Sequence, residues 1–188
     1  MHYVLASLPR RQQIGASLIE VLVAILLLSF GMLSLGAMLS FAVQAPKLAG
    51  YHATAANLAS SHIERIRANP GGFVAGSYLS ALSYDGTFNS VALVDCSYTD
   101  PCTESSLATM DNAATKRAVR IELPAGGILL TCDPAVCSSN SYGNLWIVWQ
   151  EPNRFLTDPF STSDNCPTQV TGTYTNPKPR CLYVRFKI

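Results

Sequence analysis

Few side chains in this 188-residue chain can ionise, attack or ligate at neutral pH in a pattern that suggests catalysis. The histidines are His2, His52 and His62. His52 and His62 are too far apart for the i, i+4 spacing of a helical metal pair. His62 follows Ser61, but a triad is a spatial constellation, and no orienting acid or nucleophile elbow is marked nearby. Asp158, Asp164 and Asn165 lack the spacing of a calcium loop, and such residues more often make turns. Gly71-Gly72 and Gly126-Gly127 have no lysine or helix start after them, so a phosphate loop is not indicated. Trp146 and Trp149 fit a core or sheet surface better than a ligand platform. No catalytic residue, cofactor or metal is expected.

The six cysteines carry the remaining chemistry. Cys96, Cys102, Cys132, Cys137, Cys166 and Cys181 all lie in the second half of the chain. The spacings C-x5-C and C-x4-C are not the tight C-x2-C pairs of a zinc ribbon or finger. Disulfides are the better reading, provided this part of the chain is exported to an oxidising compartment. Six cysteines allow 15 connectivities. Pairing of neighbours, Cys96–Cys102, Cys132–Cys137 and Cys166–Cys181, is the simplest.

Export depends on the N-terminal elements. Only 13% of residues are charged and 48% are hydrophobic, about half the charge of an ordinary soluble domain. The 13 Lys+Arg against 12 Asp+Glu leave +1, which points to no nucleic-acid partner. From Val21 to Pro46 there is no charged side chain, long enough for a membrane-crossing helix. Arg10-Arg11 precede the run and Lys47 follows it, so the positive-inside tendency leaves the N-terminus cytoplasmic and the body outside. A secretory signal peptide cut after Val43-Gln44-Ala45 is a weaker reading, because the apolar run far exceeds an ordinary signal core and Pro46 follows the cut. A plain anchor leaves Glu20 at the head of the run without a role beyond facing headgroups.

The string Gly15-Ala16-Ser17-Leu18-Ile19-Glu20, behind a basic leader and ahead of the apolar run, resembles the prepilin signature of the type IV pilin superfamily. The resemblance implies a leader of residues 1–15, cleavage by prepilin peptidase between Gly15 and Ala16, and N-methylation of Ala16. The family's usual Phe is replaced by Ala16. Cleavage would leave a free amine, largely cationic at neutral pH. A carboxylate in an apolar bundle needs such a cation, so the resemblance implies an assembly salt bridge between Glu20 and the Ala16 amine of a neighbouring subunit. One stagger alone brings the two charges together.

Beyond Pro46, Leu48, Tyr51, Ala55, Leu58, His62 and Ile66 recur every three or four residues, the face of an amphipathic helix. Asn69-Pro70-Gly71-Gly72 ends it. A helix from Ala16 to Arg67 would run about 78 Å at ~1.5 Å per residue. Pro46 is expected to kink or open it. Four later runs read as strands: Val119–Leu123, Ile128–Leu130, Asn144–Gln150 and Leu182–Ile188. In the last, Leu182, Val184, Phe186 and Ile188 should face inward, with Arg185 and Lys187 outward. Residues 73–116 and 151–180 read as loops or short irregular elements. The expected organisation is a leader (1–15), an apolar transmembrane and assembly helix (16–46), its amphipathic continuation (47–70) and an exported globular β-rich domain (71–188). The expected fold class is α+β and type IV pilin-like: a long N-terminal helix, transmembrane in its first half, packed on a small antiparallel β-sheet with disulfides.

Within the superfamily, Glu64-Arg-Ile-Arg-Ala-Asn-Pro70 and Leu18-Ile-Glu-Val-Leu-Val-Ala24 are similar to PilV-type minor pilins. That resemblance implies a non-enzymatic subunit that primes pilus assembly and sits in a tip complex serving adhesion, twitching motility or DNA uptake. Its implied partners are other minor pilins, the major pilin, a tip adhesin, prepilin peptidase and the inner-membrane assembly platform. It would reside in the inner membrane by a single span before entering the filament. A type II secretion minor pseudopilin is the near alternative, and a single-span anchored periplasmic binding protein the distant one.

Overall fold

A computed structural model describes residue 15 and residues 17–95, 101–151, 164–174 and 178–188. The chain divides after Pro46 into two units, each described by itself.

The first unit is the apolar part of helix α1 (Leu18–Ala68). The Ser17 carbonyl accepts the Glu20 and Val21 amides at 2.9 and 3.2 Å and so starts the helix. The span Leu18–Ser40 is long and apolar enough to cross a membrane, and its side chains are exposed. Its hydroxyls are satisfied locally. Ser29 Oγ donates to the Ile25 carbonyl at 2.7 Å and Ser34 Oγ to the Gly31 carbonyl at 2.8 Å, as polar groups must be where no water reaches. The helix continues through Pro46.

The second unit begins with the rest of α1. Ala55, Ala59, His62, Ile63 and Ile66 are buried, spaced along one stripe as the 3.6-residue period requires. The helix stops at Ala68, with Arg65 and Arg67 in its last turn, where cations complement the dipole. Helix α2 (Pro70–Val74) starts at once. Proline suits a first helical position because its missing N–H would be unpaired there anyway, and Asn69 Oδ1 caps the turn by accepting the Gly72 amide. Helix α3 (Glu104–Glu122) is started by Thr103, whose hydroxyl accepts the Ser106 amide at 3.2 Å.

Three antiparallel strands follow in the order β1 (Gly127–Asp133), β2 (Tyr142–Trp149) and β3 (Arg180–Lys187), with a short helix α4 (Thr168–Thr171) between the last two. The inner face sets Ile128, Leu130, Leu145, Ile147, Trp149 and Phe186 against Ala55, Ile66 and Phe73. Each such large side chain contributes about 1.5–3 kcal/mol on burial. A second cluster joins Tyr84, Ala125, Val148, Val170 and Cys181. The segment before α3 covers the edge of β1: Ser80 bridges Leu130, and the Ser83 amide donates to Ile128 O at 2.9 Å. Gly127 permits this approach, since a Cβ there would overlap the Tyr84 backbone. Gly143 faces Phe186 across the β2–β3 ladder, and a Cβ there would enter the aromatic ring.

The α+β architecture with a small antiparallel sheet agrees with the sequence. Two details do not. Val119–Leu123, read as a strand, closes helix α3, and residues 73–116, read as loop, include the end of α2 and most of α3. The alternation of Val119, Ile121 and Leu123 misled because Ile121 is 72% exposed while its neighbours serve a helical stripe. Ile188 lies beyond the end of β3 and is exposed rather than inward.

Candidate functional site

The candidate functional surfaces are the apolar helix and the side-chain clusters that hold the second unit together. Gly15 is exposed and precedes the first turn of α1, and Glu20 lies within that turn and is exposed. Ala16, the expected site of cleavage, methylation and pairing, lies outside the described residues.

The disulfides pin the second unit. Cys132–Cys137 closes the turn leaving β1, and Cys166–Cys181 ties the segment before α4 to β3. Cys102 is disulfide-bonded, and Cys96 lies outside the described residues. Among the described residues no group of three His, Cys, Asp or Glu could hold a metal.

The stretch Glu64–Pro70 is a clasp between helices. Arg65 Nη1 approaches Asp111 Oδ1 of α3 at 3.5 Å, and the Tyr78 hydroxyl donates to Asp111 Oδ2 at 2.7 Å. Asn69 Nδ2 donates to the Glu104 carbonyl at 2.8 Å and contacts the Tyr78 oxygen at 3.3 Å. Burial, then the Asp111 carboxylate that accepts its proton, push the Tyr78 phenol well above its ordinary value. His62 is fully buried, with Nδ1 at 2.8 Å from Thr115 Oγ1 of α3 and its ring edge-on to Tyr78. Burial lowers its pKa from 6.5 to about 4. Asp111 opposes the shift, and Arg65 and Lys116 add to it. Nε2 has no hydrogen-bond partner among the described residues. His62 and Thr115 are both buried at this helix junction, where the pair joins α1 to α3.

A second anchor is Arg120, buried near the end of α3. Its Nη atoms donate to the Asp85 carboxylate at 2.8 Å, the Thr87 carbonyl at 2.6 Å and the Ser83 carbonyl at 3.0 Å. Partial burial alone would raise the Asp85 pKa, but the Arg120 and Thr87 donors hold it below the ordinary carboxylate value. A third cluster joins α1 to the end of β2: His52 Nε2 lies 3.8 Å from Glu151 Oε1, and Trp149 Nε1 donates to the same oxygen at 3.2 Å. Asp164, considered above as a cation ligand, pairs with Arg180 at 2.6 Å. Asp158 lies outside the described residues. Trp146 is half-buried on the outer sheet face, while Trp149 is wholly buried.

Asp111, Asn112 and Thr115 escaped the sequence reading because they are polar residues on a buried helical face. Thr103 with Ser106, a capping pattern, was the available signal for α3.

Comparison with known proteins gives one family match: residues 37–113 fit the model described as Tt1218-like, Type IV pilin Tt1218. No curated protein and no solved structure matches. Coming on a chain with an exposed apolar N-terminal helix and a disulfide-bonded α+β domain, that match supports placing it in the type IV pilin superfamily, a structural and non-enzymatic kind of protein, and supports a pilin role.

Proposed function

We propose that this chain is a PilV-like minor pilin, which primes assembly of a type IV pilus and takes part in its tip complex. In this reading prepilin peptidase cleaves between Gly15 and Ala16, Ala16 is methylated, and the mature helix leaves the inner membrane to join other pilins. Adhesion, twitching motility or DNA uptake would then depend on it indirectly. The observation that carries the reading is Glu20, the one charged side chain in the otherwise apolar and exposed span Leu18–Ser40. A carboxylate there is tolerable at the interface but finds its best partner in a staggered bundle, where the Ala16 amine of a neighbour meets it.

The test crosses Glu20→Ala and Glu20→Gln with surface-pilus yield and co-purification of partner pilins. Both variants should insert in the membrane normally. Both should recover partner pilins at least tenfold less well, since losing about 1.4 kcal/mol at a contact already costs tenfold. Wild-type piliation and co-purification in both variants would remove the basis of the assembly role.

A further inference from the structure

The outer face of the sheet carries a built arrangement of aromatic, amide and charged side chains. Strand register sets three rows across it: Leu129–Trp146–Tyr183, Thr131–Asn144–Arg185 and Asp133–Tyr142–Lys187. In the first row Leu129 is buried, and the rings of Trp146 and Tyr183 pack at 4.9 Å with an interplanar angle of 31°. Trp146 Nε1 donates to the Asn165 carbonyl at 3.0 Å, which fixes the indole. In the second row the Tyr183 hydroxyl donates to Asn144 Oδ1 at 2.8 Å. Among the described residues, the Asn144 amide N–H groups and the Thr131 hydroxyl make no hydrogen bond. In the third row the Arg185 guanidinium lies 4.3 Å over the exposed Tyr142 ring, and its Nη2 donates to Asp133 Oδ2 at 2.8 Å. Lys187 Nζ lies 5.6 Å from the same ring.

Trp146, Tyr183, Asn144 and Arg185 are held before any ligand arrives, which lowers the ordering cost of binding. A guanidinium has five N–H donors. Asp133 engages Nη2, and the half-exposed Arg185 side chain keeps further donors for a planar carboxylate beside Lys187. Next to this cation pair lie a neutral amide and a hydroxyl, suited to sugar hydroxyls. Two other occupants fit less well. A protein interface wants an apolar, charge-depleted centre, whereas the central row here is Thr131–Asn144–Arg185. Single-stranded nucleic acid wants rings free to stack on bases and a groove rich in cations. Here Trp146 and Tyr183 stack on each other, and two cations face one carboxylate.

We propose that this outer face binds an acidic saccharide, with Arg185 and Lys187 on a carboxylate and Asn144 and Thr131 on hydroxyls. The inference holds whichever filament carries the chain and does not rest on the minor-pilin reading. The test measures binding of the full-length chain, in nonionic detergent, to polygalacturonate, its fully methyl-esterified form, polyglutamate and a single-stranded oligonucleotide. Polygalacturonate should bind at least tenfold more tightly than the other three. Arg185→Ala and Lys187→Gln, with near-UV circular dichroism unchanged, should each weaken it at least fivefold, and Lys178→Ala, at an exposed cation outside the strands, should not. Equal binding of polyglutamate or the oligonucleotide, undiminished affinity in natively folded Arg185→Ala and Lys187→Gln, or no binding of polygalacturonate would each overturn the proposal.

Discussion

Replacing His62 with leucine should flatten the acid side of the stability curve. In the folded chain His62 is fully buried, and its pKa falls from 6.5 to about 4, chiefly through burial. The unfolded chain therefore binds a proton on this ring between about pH 6.5 and 4 that the folded chain does not. Stability is complete above the unfolded value, falls as pH drops through that window and levels off below about pH 4. At about 1.36 kcal/mol per pH unit, the window is worth about 3 kcal/mol. A loss of this size is a large part of the ~5–15 kcal/mol that holds a domain together. Urea unfolding of the full-length chain in detergent, followed by tryptophan fluorescence at pH 7, 5.5 and 4, reads the effect, since Trp149 is wholly buried. Wild type should lose about 3 kcal/mol more than His62→Leu between pH 7 and 4. The variant also strands the Thr115 hydroxyl, but that cost is the same at every pH and cancels in the slope. An identical slope in both proteins would mean that His62 is solvated or protonated in the folded state, and the buried clasp would be wrong.

Three further outcomes are expected. Gly143→Ala should destabilise the domain by about 1–3 kcal/mol, because the new methyl enters the Phe186 ring; a shift in urea midpoint measures it, and a further Phe186→Leu change should recover part of the loss. Removing the Cys166–Cys181 bridge by a double serine substitution opens a loop with a sequence separation of 15 and should cost about 3 kcal/mol, read from the difference in urea midpoint between the two proteins. Intact-mass measurement of the membrane-extracted chain should show an N-terminus at Ala16 carrying one methyl group, whereas a start at Pro46 would establish an ordinary signal peptide.

What the sequence alone determined follows from signals that lie close together in the chain. The uncharged run after Glu20 forms an apolar helix whatever surrounds it. Tyr51, Ala55, His62 and Ile66 mark a face by their spacing, and Asn69-Pro70 ends the helix because proline disfavours the helical conformation before it and paired glycines follow. The three true strands were legible by different signals: β3 because its alternation matches the pleat, β1 as an apolar run after paired glycines, and β2 by its aromatic and β-branched residues. Val184 and Phe186 turn to the core, and Arg185 and Lys187 turn away from it.

Tertiary structure alone decided the identity of residues 104–122. Hydrophobic periodicity finds a helix by its apolar stripe, but α3 buries Asp111, Asn112, Thr115 and Arg120. Those side chains are stable inside only because distant residues meet them. Arg65 and Tyr78 reach Asp111, His62 reaches Thr115, and Asp85 with the Ser83 and Thr87 carbonyls reaches Arg120. Arg185 is a similar case. Its outward direction could be read from the strand, but its position over Tyr142 and against Asp133 needed three strands in one register. A polar group inside a protein, or a cation fixed on its surface, is tolerated because of its partners. Partners brought together by folding leave no local trace in the order of residues.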